Sequence, residues 1–302
     1  MALEELLHPV QRSLAPWATK SECYWMIVNL RSLPEGVYDS LEEPCLEHAD
    51  FKGGLGLIII VRYKETPVGP YDEIILIPGS FAVPQPKDGP IKIPKNALRV
   101  CRIYVSQRTT TYNGRLNWNI PKHLARFWFS APVTEAGQSP PAKLEMAAYP
   151  PGTEDGDGVS PFFACTIRPF RWVPSIPFNF KWLPFDTRQV QPPLPQAGGQ
   201  AQAVKSELQS RKEGNGTVSD YNTDPKHEEA LMAGTDMWRT FPIHASAPRV
   251  RGCRVTVHKN TNDTGKGESP NKYWPQDVRP FSIAMWLEDA EMSITIPVEW
   301  KL

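Results

Sequence analysis

"YNGRLNWNIPKHLARFWF", residues 112–129, sits between two apolar runs and interrupts their pattern. Upstream, "LRVCRIYVSQRTT" (98–110) alternates and reads as a long strand; downstream, "LARFWFSAP" (124–132) reads as another. Lys122 stands directly after Pro121, whose ring fixes the backbone ahead of it. A lysine amine has a pKa near ~10.4, so at neutral pH it is protonated and not nucleophilic. Burial in apolar surroundings, or a cation close by, lowers that value. Bringing it near neutrality takes roughly 4–5 kcal/mol from the environment. Trp118, Ile120, Leu124 and Phe127 offer apolar bulk around Lys122, and His123 and Arg115 are candidate cations. Without such help a lysine in this position is a solvated surface residue.

Working outward, strands are expected at "CYWMIVNL" (23–30), "GLGLIIIVRYKE" (54–65) and "EIILIPGSFAV" (73–83). "KLEMAAYP", "PFFACTIRPF" and "CRVTVHKN" (253–260) have the same character. "FSIAMWLEDAEMSITIPVEW" (281–300) reads as a closing hairpin that turns near Glu288-Asp289. Short helices are expected at 2–10 and 227–241. Residues 187–226 are rich in Pro, Gln and Gly with few large apolar groups, and read as a mobile insertion. The chain has 32 prolines, which long helices and central strands tolerate poorly. Helical crossovers are missing between the strands of 54–131, so a parallel doubly wound sheet is disfavoured. The expected fold class is α+β in a single domain, 1–302. It is predominantly antiparallel, with a curved or closed, barrel- or cone-like sheet and few short helices.

Composition narrows the function. Lysine plus arginine equals aspartate plus glutamate at 33 each, so the basic excess of a nucleic-acid binder is missing. No apolar run has the ~20 residues of a spanning helix, and no secretory signal is visible, so a cytoplasmic protein with no membrane partner is expected. The 5 cysteines are scattered without a CxxC pair, and the 6 histidines lie far apart without HExxH spacing, so no metal is expected. "GGLGL" (53–57) precedes a strand and is no phosphate loop, and no G-x-S-x-G elbow occurs, so no cofactor is expected.

The stretch carrying Gly114, Arg115, Pro121, Lys122 and Leu124 resembles the signature of acetoacetate decarboxylases. Upstream, "GPYDE" (69–73) is similar to that family's Gly-x-Tyr-x-Glu loop, followed by an apolar strand ending in Ile77-Pro78. "IIIVRYKE", with Arg62, also fits, and the match spans roughly residues 24–130. The resemblance implies a lyase-like enzyme in which Lys122 forms a Schiff base with a keto compound. The imine then serves as electron sink for decarboxylation or for aldol or dehydration chemistry, and a place in secondary metabolism is expected. It gives Glu73 a proton-transfer role. It makes Arg115, Tyr71, Trp118 and Arg62 candidates for substrate contact, and implies a small-molecule carbonyl partner and homo-oligomeric assembly. The family's second lysine is replaced by His123, a residue mostly neutral at pH 7 that supplies less repulsion but could shuttle protons. Two alternatives stay open: non-covalent catalysis of a cyclisation or rearrangement in an apolar cavity, and a non-catalytic small-molecule binding protein.

Overall fold

The computed structural model describes residues 8–86, 93–182, 186–214, 218–259 and 270–302. In chain order the strands are β1 (Trp17–Leu30), β2 (Phe51–Glu65), β3 (Tyr71–Ile77), β4 (Ser80–Ala82), β5 (Asn96–Leu98), β6 (Arg102–Val105), β7 (Lys122–Leu124) and β8 (Arg126–Phe129). They continue with β9 (Leu144–Tyr149), β10 (Phe163–Pro169), β11 (Ile176–Asn179), β12 (Gln189–Gln191), β13 (Trp238–Phe241), β14 (Ile243–Val257), β15 (Ile283–Ile294) and β16 (Val298–Trp300). The α-helices are α1 (Arg108–Trp118), α2 (Gln200–Lys212) and α3 (Pro270–Tyr273). All strands join one sheet in the order β16-β13-β12-β5-β4-β2-β1-β15-β14-β10-β9-β8, with β3, β6 and β7 branching from β2 and β11 beside β14. Pairing is antiparallel except at β6–β7 and β5–β12. The class is therefore α+β with a curved sheet, and among the described residues its path stays open rather than closing into a barrel. No described helix is long and apolar enough to cross a membrane.

Two apolar layers sandwich the central strands, because alternate residues of a strand point to opposite faces. Tyr24, Ile58, Ile60, Ile74 and Tyr104 pack on one face. Cys23, Val61, Tyr63, Tyr71, Ile103 and Leu124 pack on the other. Each fully buried aliphatic side chain contributes about 1.5–3 kcal/mol. A double cover explains why "IIIV" is continuous rather than alternating in polarity.

Several sequence expectations are corrected. Residues 98–110 are not one strand: β5 and β6 are short, and α1 begins at Arg108. Its Thr-Thr-Thr run is a poor helix former, but tertiary burial outweighs propensity, since every residue of α1 except Leu116 is buried. Thr111 Oγ1 and Asn113 Nδ2 donate to the carbonyls of Gln107 and Thr109, four residues back, at 2.9 Å each. Asn119, left-handed at φ 56°, ends the helix by donating its N–H to Arg115 O at 3.0 Å. Residues 281–300 do not turn at Glu288-Asp289. β15 runs through that point with a bulge against β1, and Asp289 takes φ 49°. Residues 227–241 form a 3-10 turn, Pro225–Leu231, and then β13. The helix expected at 2–10 falls mostly outside the described residues.

The segment 187–226 is not simply a mobile loop. It contains β12 and α2, and Glu207 of α2, fully buried, pairs with Arg108 of α1 at 2.5 Å. A single buried carboxylate in an otherwise polar helix leaves no apolar stripe in the sequence, so the anchoring was invisible there.

Candidate active site around Lys122

β7 lies parallel to β6, with Lys122 opposite Ile103, and its side chain crosses α1 at Gly114. A Cβ at position 114 would come within 2.7 Å of Lys122 Cδ and 2.9 Å of Cε. The glycine is thus required for the lysine to lie flat against the helix. The amine then donates to Glu73 Oε2 at 2.7 Å, to Thr110 Oγ1 at 2.9 Å and to Tyr71 Oη at 3.3 Å. Tyr63 Oη donates to the other oxygen, Glu73 Oε1, at 3.3 Å. Tyr63 and Tyr71 face each other across β2 and β3, with ring centres 4.4 Å apart. Lys122 is 4% exposed and Glu73 2%.

Burial pushes the amine's pKa down, but the Glu73 carboxylate and the Tyr71 hydroxyl outweigh it, and the net direction is up. This corrects the expected neutral amine in an apolar cavity. The resting group is an ammonium ion among polar atoms. Burial raises the phenols of Tyr71 and Tyr63, and both stay protonated donors.

Of the other expected site residues, only Tyr71 and Glu73 meet the amine. His123 follows Lys122 on the strand and so points to the opposite face. There its Nε2 meets Glu42 at 2.8 Å and its Nδ1 meets Glu228 at 3.2 Å. Burial works against the imidazolium, yet Glu42, Asp39 and Glu228 together raise the pKa to about 10. His123 is therefore neither neutral nor a shuttle for Lys122. Arg115 is fully buried and committed: Nη1 donates to Glu42 at 2.7 Å, Nη2 to Pro195 O at 2.9 Å and Nε to Ala233 O at 3.1 Å. Trp118 is core, edge-on to Trp17 at 5.1 Å, with Nε1 donating to Thr295 O at 2.8 Å. Arg62 lies on the face away from Lys122. It stacks over Phe129 at 3.9 Å and donates to Ala131 O at 2.9 Å.

Asp39, Glu42 and His123 offer ligand atoms within 4.8 Å of one another, the arrangement among the described residues that could hold a metal. Arg115 on Glu42 and Arg102, 3.7 Å from Asp39, already balance these carboxylates, which fits an ion-pair network better than a cation site.

Sequence reading missed Thr110 and Tyr63. Thr110 was hidden by taking 98–110 for a strand. Tyr63 shares the parity of Val61 on β2, so the alternation placed it on the site face, but nothing in the spacing tied it to Glu73.

A cleft of about 670 Å³ opens at the amino end of α1, lined by Pro67, Val68, Thr109 and Asp220 among others. Lys122 does not line it, but Thr109 is the chain neighbour of Thr110, which holds the amine.

No family model matches the chain, and no curated protein matches its sequence. Among solved structures it is similar in shape to the enduracididine biosynthesis enzyme MppR complexed with the condensation product of pyruvate and imidazole 4-carboxaldehyde. That overlap has TM-score 0.48 and 11% identity, over 95% of this chain and 90% of that one. It is similar to the acetoacetate decarboxylase of Legionella pneumophila at TM-score 0.49 and 8% identity, over 98% and 94%. A further acetoacetate decarboxylase structure gives TM-score 0.48 and 9% identity, over 100% and 98%. At such overlaps and identities the likeness transfers no residue role.

Proposed function

We propose that this protein is a lyase-type enzyme that captures a carbonyl compound as an imine on Lys122, without a cofactor. The observation that carries the reading is the buried contact of 2.7 Å between the Lys122 amine and Glu73. An ammonium ion cannot attack a carbonyl, but its proton acceptor is already in place. Transfer of one proton from Nζ to Glu73 Oε2 leaves a neutral amine and a carboxylic acid. The amine adds to the carbonyl carbon, Tyr71 hydrogen-bonds the oxygen that gains charge, and that oxygen takes up the proton that the attacking nitrogen gives up, which leaves a neutral carbinolamine. The Glu73 acid then protonates the carbinolamine hydroxyl, which leaves as water, giving an iminium ion and restoring the carboxylate. The iminium accepts the electron pair of a bond to the neighbouring carbon, whether that bond leads to carboxylate, carbon or hydrogen, and an enamine results. Because the base lies inside the pair, the raised amine pKa does not require alkaline conditions for reaction.

One observation favours a second reading. The three N–H bonds of the ammonium are all taken, by Glu73, Thr110 and Tyr71. A fully satisfied buried ion pair is also what a structural lysine makes, and in that case the chain is a binding protein without imine chemistry. Borohydride reduction in the presence of ketones, read beside turnover of the Lys122→Ala variant, separates the two. Labelling at Lys122 with turnover abolished in the variant supports the imine enzyme. Ligand binding with no label supports the binding protein, and unlabelled turnover that survives in the variant supports non-covalent catalysis.

A further inference from the structure

Resting on the imine reading, we infer that the turn at 219–222 is a gate: it closes the Lys122 site and, when it lifts, admits substrate from the adjoining cleft. The amine and the three groups it meets are sealed. Lys122, Glu73, Tyr71 and Thr110 are each 5% exposed or less. A carbonyl compound reaches the amine only after part of this enclosure moves.

The amine sits in the seam between Tyr71, the first residue of β3, and the first turn of α1, where Thr110 lies. The turn at 219–222 crosses that seam. Asn222 N donates to Ser219 O at 2.9 Å, which puts Asp220 and Tyr221 at the tip. Tyr221 Oη donates at 2.9 Å to the carbonyl of Pro70, the residue before Tyr71. The Asp220 carboxylate accepts at 2.5 Å from Oγ1 of Thr109, the residue before Thr110, and its carbonyl accepts from Arg108 N at 2.8 Å. Each wall of the seam is thus bonded one residue away from a hydroxyl that holds the amine.

The walls are fixed, whereas the turn is lightly held. β3 is paired on both sides, with β2 and with β6. α1 is anchored by Arg108 on Glu207 at 2.5 Å and by Asn113 Nδ2 donating to Gln11 O at 2.8 Å. Asp220 and Tyr221 are both exposed, Tyr221 by 55%. Segments held by solvent-facing hydrogen bonds open at low free energy. Gln107, next in the chain to Arg108, favours opening. Its Nε2 donates to Val68 O at 2.6 Å, but its buried Oε1 has no partner among the described residues. Water entering under a lifted turn satisfies that oxygen and offsets part of the cost. The cleft of about 670 Å³ lies along the same seam. Pro67 and Val68 line it ahead of β3, Thr109 from α1, and Ser219 and Asp220 from the turn itself.

The test compares the native protein with Asp220→Ala/Tyr221→Phe, which removes the two side-chain bonds to the walls. Two probes read access. Methyl acetoacetate with cyanoborohydride labels the Lys122 amine. Methyl methanethiosulfonate labels a thiol placed beside it by Thr110→Cys, in both backgrounds and without imine chemistry. Site-resolved mass gives each rate, and Cys165, fully buried elsewhere in the sheet, reports any general loosening. Both rates are expected to rise at least about 5-fold in the double variant, with Cys165 unchanged, as two lost hydrogen bonds favour a local opening. A thiol rate at position 110 that stays level, or rises only in step with Cys165, overturns the gate whatever happens at Lys122. A faster thiol with Lys122 labelled at the native rate overturns the turn as the substrate's way in. A faster thiol with no carbonyl label in either protein upholds the gate and overturns the imine reading alone.

Discussion

The amine of Lys122 lies 2.7 Å from the Glu73 carboxylate, and both side chains are almost sealed from water. A buried pair of this kind adds little net stability over apolar packing, because desolvation offsets attraction; breaking it is the expensive step. Either Lys122→Met or Glu73→Gln alone should therefore destabilise the fold by about 3–5 kcal/mol, and the double variant by clearly less than the sum. Urea midpoints of the three variants check this. Additive losses would mean that the two groups do not share one pair.

Gly114 determines where that amine can lie. In Gly114→Ala the new methyl would meet the lysine stem at 2.7 Å, and helix α1 cannot retreat because nearly all of it is buried. We expect a loss of about 1–3 kcal/mol from overpacking. Labelling at Lys122 should fall at least about 10-fold, the order of loss that misplacing a reacting group by an ångström brings. Labelling of the folded variant at the wild-type rate would show that the lysine does not need this path.

On the other face, His123 is held as a cation between Glu42 and Glu228. Its folded pKa, about 10, lies above the unfolded value near ~6.5. Between those values the folded state binds a proton that the unfolded state has lost, so stability falls as pH rises. The contribution is complete below about pH 6.5 and gone above about pH 10. Glu42 is shifted downward, since His123 and Arg115 outweigh its burial, and its contribution is lost only in acid. Denaturation series from pH 6 to 10 should show the alkaline decline in the native protein and a flatter profile in His123→Gln. Parallel slopes in the two proteins would contradict the assignment.

Helix α2 is tied to α1 by Glu207, which also accepts from Arg211 at 2.7 Å. Glu207→Ala leaves Arg108 in the interior without its carboxylate partner, with only His227 O, at 3.3 Å, still accepting from its side chain. Limited proteolysis should then cut within 200–212 several-fold faster than in the native protein. Unchanged cleavage would mean that the helix is held by other contacts.

The sequence was most readable where periodicity and burial agree. The "IIIV" run, the strand into Ile77-Pro78, and the α+β class with its antiparallel majority all follow from apolar patterning. The Tyr71, Glu73 and Lys122 cluster was legible through its motifs, since strand parity puts residues 71 and 73 on one face of β3, and β3 reaches β7 across β6. Other features depend on contacts far apart in the chain. Thr-Thr-Thr became helix because the surrounding layers bury it. Neither the charge on His123 nor the committed state of Arg115 could be foreseen, since both depend on Glu42, some 70–80 positions away. The protonated Lys122 escaped for a similar reason: burial and a partner carboxylate act in opposite directions, and only their distance decides between them.

The most direct test of the account is the mass of the Lys122 peptide after the native protein is incubated with methyl acetoacetate and borohydride. The account predicts one reduced adduct concentrated at Lys122 and absent from Lys122→Arg. A label spread over solvent-facing lysines such as Lys20 and Lys52, with Lys122 unmodified, would contradict it.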